Sequence, residues 1–148
     1  MVMKYEVLRI QGFGNPFVTI KTETITEEVK DLTEYLEGSK GGSITGYLEN
    51  EAYPVRQETI RRIYAESGKV LAECNDHTYT LRYRLYEIEE KISENLFIRI
   101  SNSEIINRKK IHKFDLSITG IITIIMDDGT RSIVSRRTMP KIRKKLGL

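Results

Sequence analysis

The stretch that decides the fold is Phe97–Gly147, FIRISNSEIINRKKIHKFDLSITGIITIIMDDGTRSIVSRRTMPKIRKKLG. Its opening words, from Asn95 to Ser101, read as a strand rich in β-branched and aromatic residues. Ser101-Asn102-Ser103 is turn chemistry. The following SEIIN is compact and reads as about one helical turn. KIHKFDLSI and GIITIIMDD read as two strands joined at Thr119-Gly120, and Asp128-Gly129 is a strong hairpin signal into TRSIVS. A basic helix closes the chain from Arg136, with Ser135 as its N-cap, Pro140 tolerable only near the first turn, and Gly147 at its end.

Outward from that stretch the pattern stays short and strand-like. Ile44–Asn50, Glu51–Gln57 and Thr59–Ser67 read as strands, Gly68-Lys69 as a turn, and VLAEC with TYTLRY as a hairpin around Asn75-Asp76-His77. Arg84–Ile92 places Leu85, Ile88 and Ile92 on one helical face. Before a Gly/Ser break, EGSKGGS, the chain reads β–β–α: strands Lys4–Ile10 and Phe17–Glu23 around a turn with Gly12, Gly14 and Pro16, then a helix to Leu36. Thr24 or Thr26 caps that helix, and Ile25, Val29, Leu32 and Leu36 lie at helical spacing. The expected organisation is a small N-terminal unit, residues 1–41, and a main domain, residues 42–148. The fold class is mainly β (α+β), with short helices. No internal repeat or low-complexity tract interrupts it.

Charge is unevenly placed. Residues 96–148 carry twelve Lys/Arg against four acids, which gives +8; residues 1–95 carry twelve against seventeen, which gives −5, and the whole chain is +3. A basic third on an acidic body is the footprint of a polyanion reader. With 39% hydrophobic and 30% charged residues the chain is ordinary globular. It has no apolar run of transmembrane length and no secretory signal at its start, and a single cysteine, Cys74, fits a reducing compartment.

Catalytic patterns are poor. Cys74-x-x-His77 lacks a second ligand pair, and a hairpin-turn histidine is the simpler reading. The Gly12–Gly14 GFG precedes a strand, not a helix, so it makes no nucleotide cradle. Asp127 and Asp128 are adjacent, which on a strand sends them to opposite faces, and they read as turn residues. No cofactor, metal or catalysis is expected. The polar clusters say more. Arg136 and Arg137 follow the strand SIVS, and an Arg fork there can read guanine O6/N7; Asn102 in its turn can pair with adenine N6/N7. Asn107, after Ile105-Ile106, is better placed to tie down buried backbone. Lys69 is a third exposed tip.

Taken together these words resemble the LytTR-type DNA-binding domain of bacterial response regulators. Phe97, Arg99, Ser103, Ile106, Asn107, Ile111, Gly129, Val134, Ser135 and Arg136 match the family pattern in order, and the resemblance covers Gly42–Leu148. It implies an elongated stack of small β-sheets that binds duplex DNA through loops and strand ends inserted into successive major grooves, not through a helix-turn-helix. It implies base reading by Asn102 and Arg137, with a third contact near Lys69, and phosphate contacts from Arg99, Ser103, Arg136 and Lys141. Ser101 stands where the family often has His. The length leads us to expect no receiver domain. The resulting expectation is a cytoplasmic bacterial transcription regulator, a homodimer on repeated half-sites, with no membrane contact.

Two rivals stand beside it. One is a protein–protein or dimerisation module of the same fold that has lost DNA reading. The other is an RNA-binding β domain that stacks bases on Tyr79, Tyr83 and Tyr86. The charge asymmetry generates a direct test. Duplex DNA binding should weaken steeply as salt rises, because several Lys/Arg displace counterions. A flat dependence of log K on log salt, measured by fluorescence anisotropy, removes the electrostatic argument.

Overall fold

The computed structural model describes residues 4–7, 11, 18–39 and 42–148. Helix α1 (Glu27–Ser39) is capped by Thr26, whose Oγ1 accepts from the Val29 N–H at 3.3 Å. Its stripe of Val29, Leu32 and Leu36 is half-buried. The described parts of the two N-terminal strands read from sequence, residues 4–7 and 18–23, carry no strand; their remainder, the Gly12–Pro16 turn and residues 40–41 of the Gly/Ser break lie outside the described residues. A two-stranded ribbon alone is marginal in water, and alternation alone does not make one form.

The rest is β-rich. Strands β1 (Ser43–Leu48), β2 (Glu51–Arg56), β3 (Ile60–Glu66), β4 (Lys69–Cys74), β5 (Thr78–Leu81), β6 (Phe97–Ser101) and β7 (Glu104–Asn107) form one sheet in the order β2-β1-β5-β4-β3-β7-β6. All its pairings are antiparallel. A second sheet, β10-β9-β8, comprises β8 (Ile111–Asp115), β9 (Thr123–Met126) and β10 (Arg131–Ile133). Helix α2 (Leu85–Lys91) separates β5 from β6, and α3 (Met139–Leu146) ends the chain.

Most elements follow the sequence reading. The β3–β4 hairpin turns through Ser67 (φ 50°) and Gly68 (φ 74°), the paired positive φ of a type I′ turn, one residue before the Gly68-Lys69 turn read from sequence; Lys69 already opens β4. The Asp128-Gly129 turn forms as read: Gly129 has φ 87°, and the Asp128 carboxylate accepts from the Thr130 N–H at 3.0 Å. Two readings are corrected. SEIIN is strand β7, not a helical turn: Ile105 and Ile106 are both buried, on opposite faces of the sheet, so the two-residue period is hidden. The connection from β8 to β9 is the longer loop Leu116–Ile122, not a tight turn at Thr119-Gly120, because Asp115 already pairs with Thr123 and Ile122 goes into the core.

That two-sided burial divides the molecule into two cores. Ile105 and Phe97 join Ile44, Ile60, Ile63 and Ala72 beneath α2, which contributes Leu85 and Ile88. Ile98, Ile100 and Ile106 join Ile122, Ile124, Met126 and Val134, closed over by Ile142 of α3. Each fully buried isoleucine contributes about 1.5–3 kcal/mol. The sheets are also joined by polar contacts. Buried Arg61 of β3 donates to Asp127 at 2.8 Å and to Asn75, and lies 3.4 Å from Asp128 and 3.6 Å from Glu73. Burial works against its charge, but the Asp127 hydrogen bond and the Asp128 and Glu73 charges outweigh it and raise its pKa. Glu104 accepts from Arg62 at 3.3 Å and from Ser132 of β10 at 2.6 Å.

Asn107 does what its apolar frame suggests. Its amide donates to the Ile60 carbonyl at 2.8 Å and accepts from the Lys109 N–H at 2.9 Å, while only 1% exposed. Asn107→Ala leaves both backbone groups unmet. It should cost about 2–3 kcal/mol in urea unfolding; a loss below about 0.5 kcal/mol would show that water replaces the amide.

Candidate nucleic-acid interface

The register brings two of the polar tips, Lys69 and Asn102, to one end of the large sheet. The end of β3, the start of β4 and the turn between β6 and β7 all lie there, since Tyr64 pairs with Glu104 and Glu66 with Lys69. A hydrogen bond from the Ala65 N–H to the Ser103 carbonyl, 2.8 Å, extends the ladder to the turn itself. β4 and β7 flank β3, which puts them about 10 Å apart at ordinary strand spacing. Lys69 is exposed at the hairpin tip.

The Ser101–Ser103 turn is braced from within. Arg99 donates to the carbonyls of Ser101 (2.9 Å) and Asn102 (2.8 Å) and pairs with Glu89 of α2 at 3.3 Å. The Ser103 N–H donates to Ser101 Oγ at 3.2 Å, and the two hydroxyls lie 3.3 Å apart. The exposed Asn102 amide has no hydrogen-bond partner among the described residues. The turn's backbone is fixed while that amide is left to the outside.

Beside it sits a second turn, Ser135–Thr138. The Ile100 carbonyl accepts twice from it, from the Ser135 N–H at 2.9 Å and from Thr138 Oγ1 at 2.6 Å. Ser135 and Thr138 hydroxyls also bond each other at 2.7 Å, and the Ser135 carbonyl accepts from the N–H groups of Thr138 (3.1 Å) and Met139 (3.0 Å). This corrects the sequence reading of the helix start. The cap of α3 is Thr138, Pro140 falls in the first turn, and Arg136 and Arg137 project from the preceding turn rather than from helix. Ser135 satisfies the turn, so the helix begins after it.

The remaining tips differ. Lys141 is exposed on α3 and lines a shallow groove shared with Lys145, Arg99 and Glu89. Arg61, Arg62, Arg99 and Arg131 are all in ion pairs, whereas Lys69, Arg136, Arg137 and Lys141 meet no carboxylate among the described residues. Unpaired cations therefore lie on the surface that carries these turns. Near the second sheet, Asp115 is held at a pKa of about 2 by its hydrogen bonds to Ser117 and by Arg131 at 2.6 Å.

The sequence profile described as the LytTr DNA-binding domain matches residues 50–147. The chain belongs to that family. It is a family of DNA-binding regulators and not of enzymes. The LytTr chain is similar along most of its length to uncharacterized HTH-type transcriptional regulators of Staphylococcus aureus strains NCTC 8325 / PS 47 and COL. Each is 28% identical over 133 residues, 90% of this chain and 86% of the relative. It is also similar to the solved LytTr DNA-binding domain of a Bacillus cereus protein, with a TM-score of 0.69 and 26% identity, over 72% of this chain and 98% of that one. The relatives' HTH-type label does not describe this LytTr fold. Among the described residues no two helices are consecutive; five strands separate each from the next. No described helix is long and apolar enough to cross a membrane.

The LytTr structure also bears on the stacking rival. Tyr79 is half-buried against Tyr53 and His77, and a Cβ at Gly46 would come within 2.7 Å of it; Tyr83 is exposed, with the Lys91 ammonium over its ring at 4.9 Å. No ring contact joins Tyr79, Tyr83 and Tyr86 to one another among the described residues. What sequence reasoning missed is the bracing. The resemblance implies a phosphate contact for Arg99, but its donors face the turn's carbonyls and Glu89, and the sequence reading gives Thr138 no role. The Ser-x-x-Thr spacing of Ser135 and Thr138 was the available signal. Thr138→Val removes one of the two bonds to Ile100 at near-constant shape. It should cost about 0.5–1.5 kcal/mol and raise amide hydrogen exchange at Ser135–Arg137 more than in β3. Unchanged exchange in the turn would show that Thr138 does not hold it.

Proposed function

We propose that this chain regulates transcription by reading specific duplex DNA in major grooves through the turns at one end of its sheet. In this reading Asn102 and Arg137 meet base edges, and Lys69 reaches the duplex from the neighbouring hairpin tip. Arg136, Ser103 and Lys141 contact phosphates, and Arg99 supports the Asn102 turn from behind. The observation that carries the reading is the Ile100 carbonyl. It ties the Asn102 turn and the Arg136-Arg137 turn to one atom, so an amide suited to adenine and a guanidinium suited to guanine are presented side by side on fixed backbone. Phosphate contacts then set register and affinity while the two side chains set sequence. Loops that enter grooves in this way favour bent DNA. The S. aureus relatives' description as transcriptional regulators supports the same role. The unpaired cations favour it over a module that has lost DNA reading.

We further propose that two protomers occupy repeated half-sites, direct or inverted, spaced near multiples of the helical turn, in the cytoplasm. The half-covered stripe of α1, which enters neither core, is the surface offered for self-association.

Two measurements test this. Arg137→Ala should lose about 1–3 kcal/mol on the specific duplex and relax preference at one or two positions, whereas Lys141→Ala should weaken specific and scrambled duplexes alike. Identical profiles for the two variants would sink the division between reader and anchor. Sedimentation of the full chain, with and without a duplex carrying two half-sites, should give two protomers per duplex. A monomer at high micromolar concentration in both states rejects the dimer.

A further inference from the structure

At the opposite end of the β6–β7 hairpin from Asn102 the surface opens into a cleft of about 520 Å³. That volume lies in the range of small-molecule sites, about 300–1,000 Å³. Its floor is apolar: Leu96, Ile111, Phe114 and Leu146, of which the last three are only half-buried. Its rim carries the cations Arg108 and Lys109 and the His112 ring, and no carboxylate lines it.

The cations are placed by rigid backbone. The Arg108 N–H donates to the Leu96 carbonyl at 2.8 Å, and the Lys109 N–H donates to the buried Asn107 side chain at 2.9 Å. Arg108 itself reaches the Lys145 carbonyl at the end of α3, at 3.5 Å, which makes it a wall between the hairpin and the helix. Neither rim cation, Arg108 or Lys109, is in an ion pair among the described residues, unlike Arg61, Arg62 or Arg131. A formed apolar floor beneath uncompensated positive charge is complementary to one kind of molecule. Inorganic phosphate would leave the floor uncovered, and a neutral aromatic would leave the rim unmatched.

We propose that this cleft binds a small organic anion with an apolar body, an aryl or alkyl carboxylate. The carboxylate meets the Lys109 ammonium and the His112 ring at the rim, with the Arg108 guanidinium beside them, and the body lies on Phe114 and Leu146. The site is separate from the DNA-reading turns and does not depend on their assignment. It also touches both the foot of the hairpin and the last turn of α3, the two elements whose other ends carry those turns.

The test uses the full chain and 1-naphthoate as the probe, followed by amide chemical shifts. Saturable shifts confined to Leu96, Arg108–Phe114 and Leu146 are expected, with a Kd of about a millimolar or tighter, as a ligand of this size permits. 1-Naphthalenemethanol, which lacks the charge, should bind about tenfold more weakly, and so should 1-naphthoate to the exposed double variant Lys109→Gln/His112→Gln. Inorganic phosphate should leave Phe114 unshifted. No saturation by about 10 mM naphthoate, equal affinity for the alcohol, equal binding to the double variant, or the same shifts with phosphate would each overturn the proposal.

Discussion

The β6–β7 hairpin has no solvent face, and the rest of the molecule is arranged around that constraint. Phe97 and Ile105 look into one core, and Ile98, Ile100 and Ile106 into the other. A ribbon buried on both sides cannot slip by one residue without exchanging the two sets, so its register is strongly specified. Its turn is fixed in space as a result, and so is the Ile100 carbonyl, from which the Ser135–Thr138 turn and the start of α3 are hung. The precision of the candidate reading surface is inherited from packing deep inside the chain.

The polar links between the sheets serve the same end. Arg61 is too buried to stand without partners, and the price of desolvating it is met by carboxylates from both sheets, Glu73 on one and Asp127 and Asp128 on the other. Such a group adds little net stability compared with an apolar residue. It does demand that the Asp127–Gly129 turn sit over β3. Glu104 makes a similar demand of Ser132. Two sheets held only by apolar contact could slide; these pairs give them one alignment.

Much of this was legible in the chain and some was not, for definite reasons. The turn between β3 and β4 was readable to within one residue, as Gly68-Lys69, and that at Asp128-Gly129 directly, because positive φ restricts residue choice. The structural duty of Asn107 was readable because a lone amide among isoleucines needs partners. β7 was misread because burial on both faces erases alternation. The start of α3 was misread because Ser135 is as good a cap for a turn as for a helix, and only the Ile100 carbonyl, 35 residues earlier in the chain, decides between them. Asp127 and Asp128 were read as turn residues, which they are, but their ion pairs with Arg61 are long-range and leave no local pattern. The nearness of Asn102 to the Arg136-Arg137 turn is likewise a product of tertiary packing, as is the turning of Arg99 inward.

The side chains presented outward are separate from the frame of the two turns. The bonds that hold them are made by backbone groups and by Ser101, Ser103, Ser135, Thr138 and Arg99, while Asn102, Arg136 and Arg137 contribute no side-chain bond to the frame among the described residues. The letters that face outward can be rewritten without disturbing the letters that keep the shape. Under the proposed reading, duplicated copies of such a gene drift to new operators one substitution at a time, each intermediate remaining folded. Recognition and foldability are inherited here as nearly independent traits.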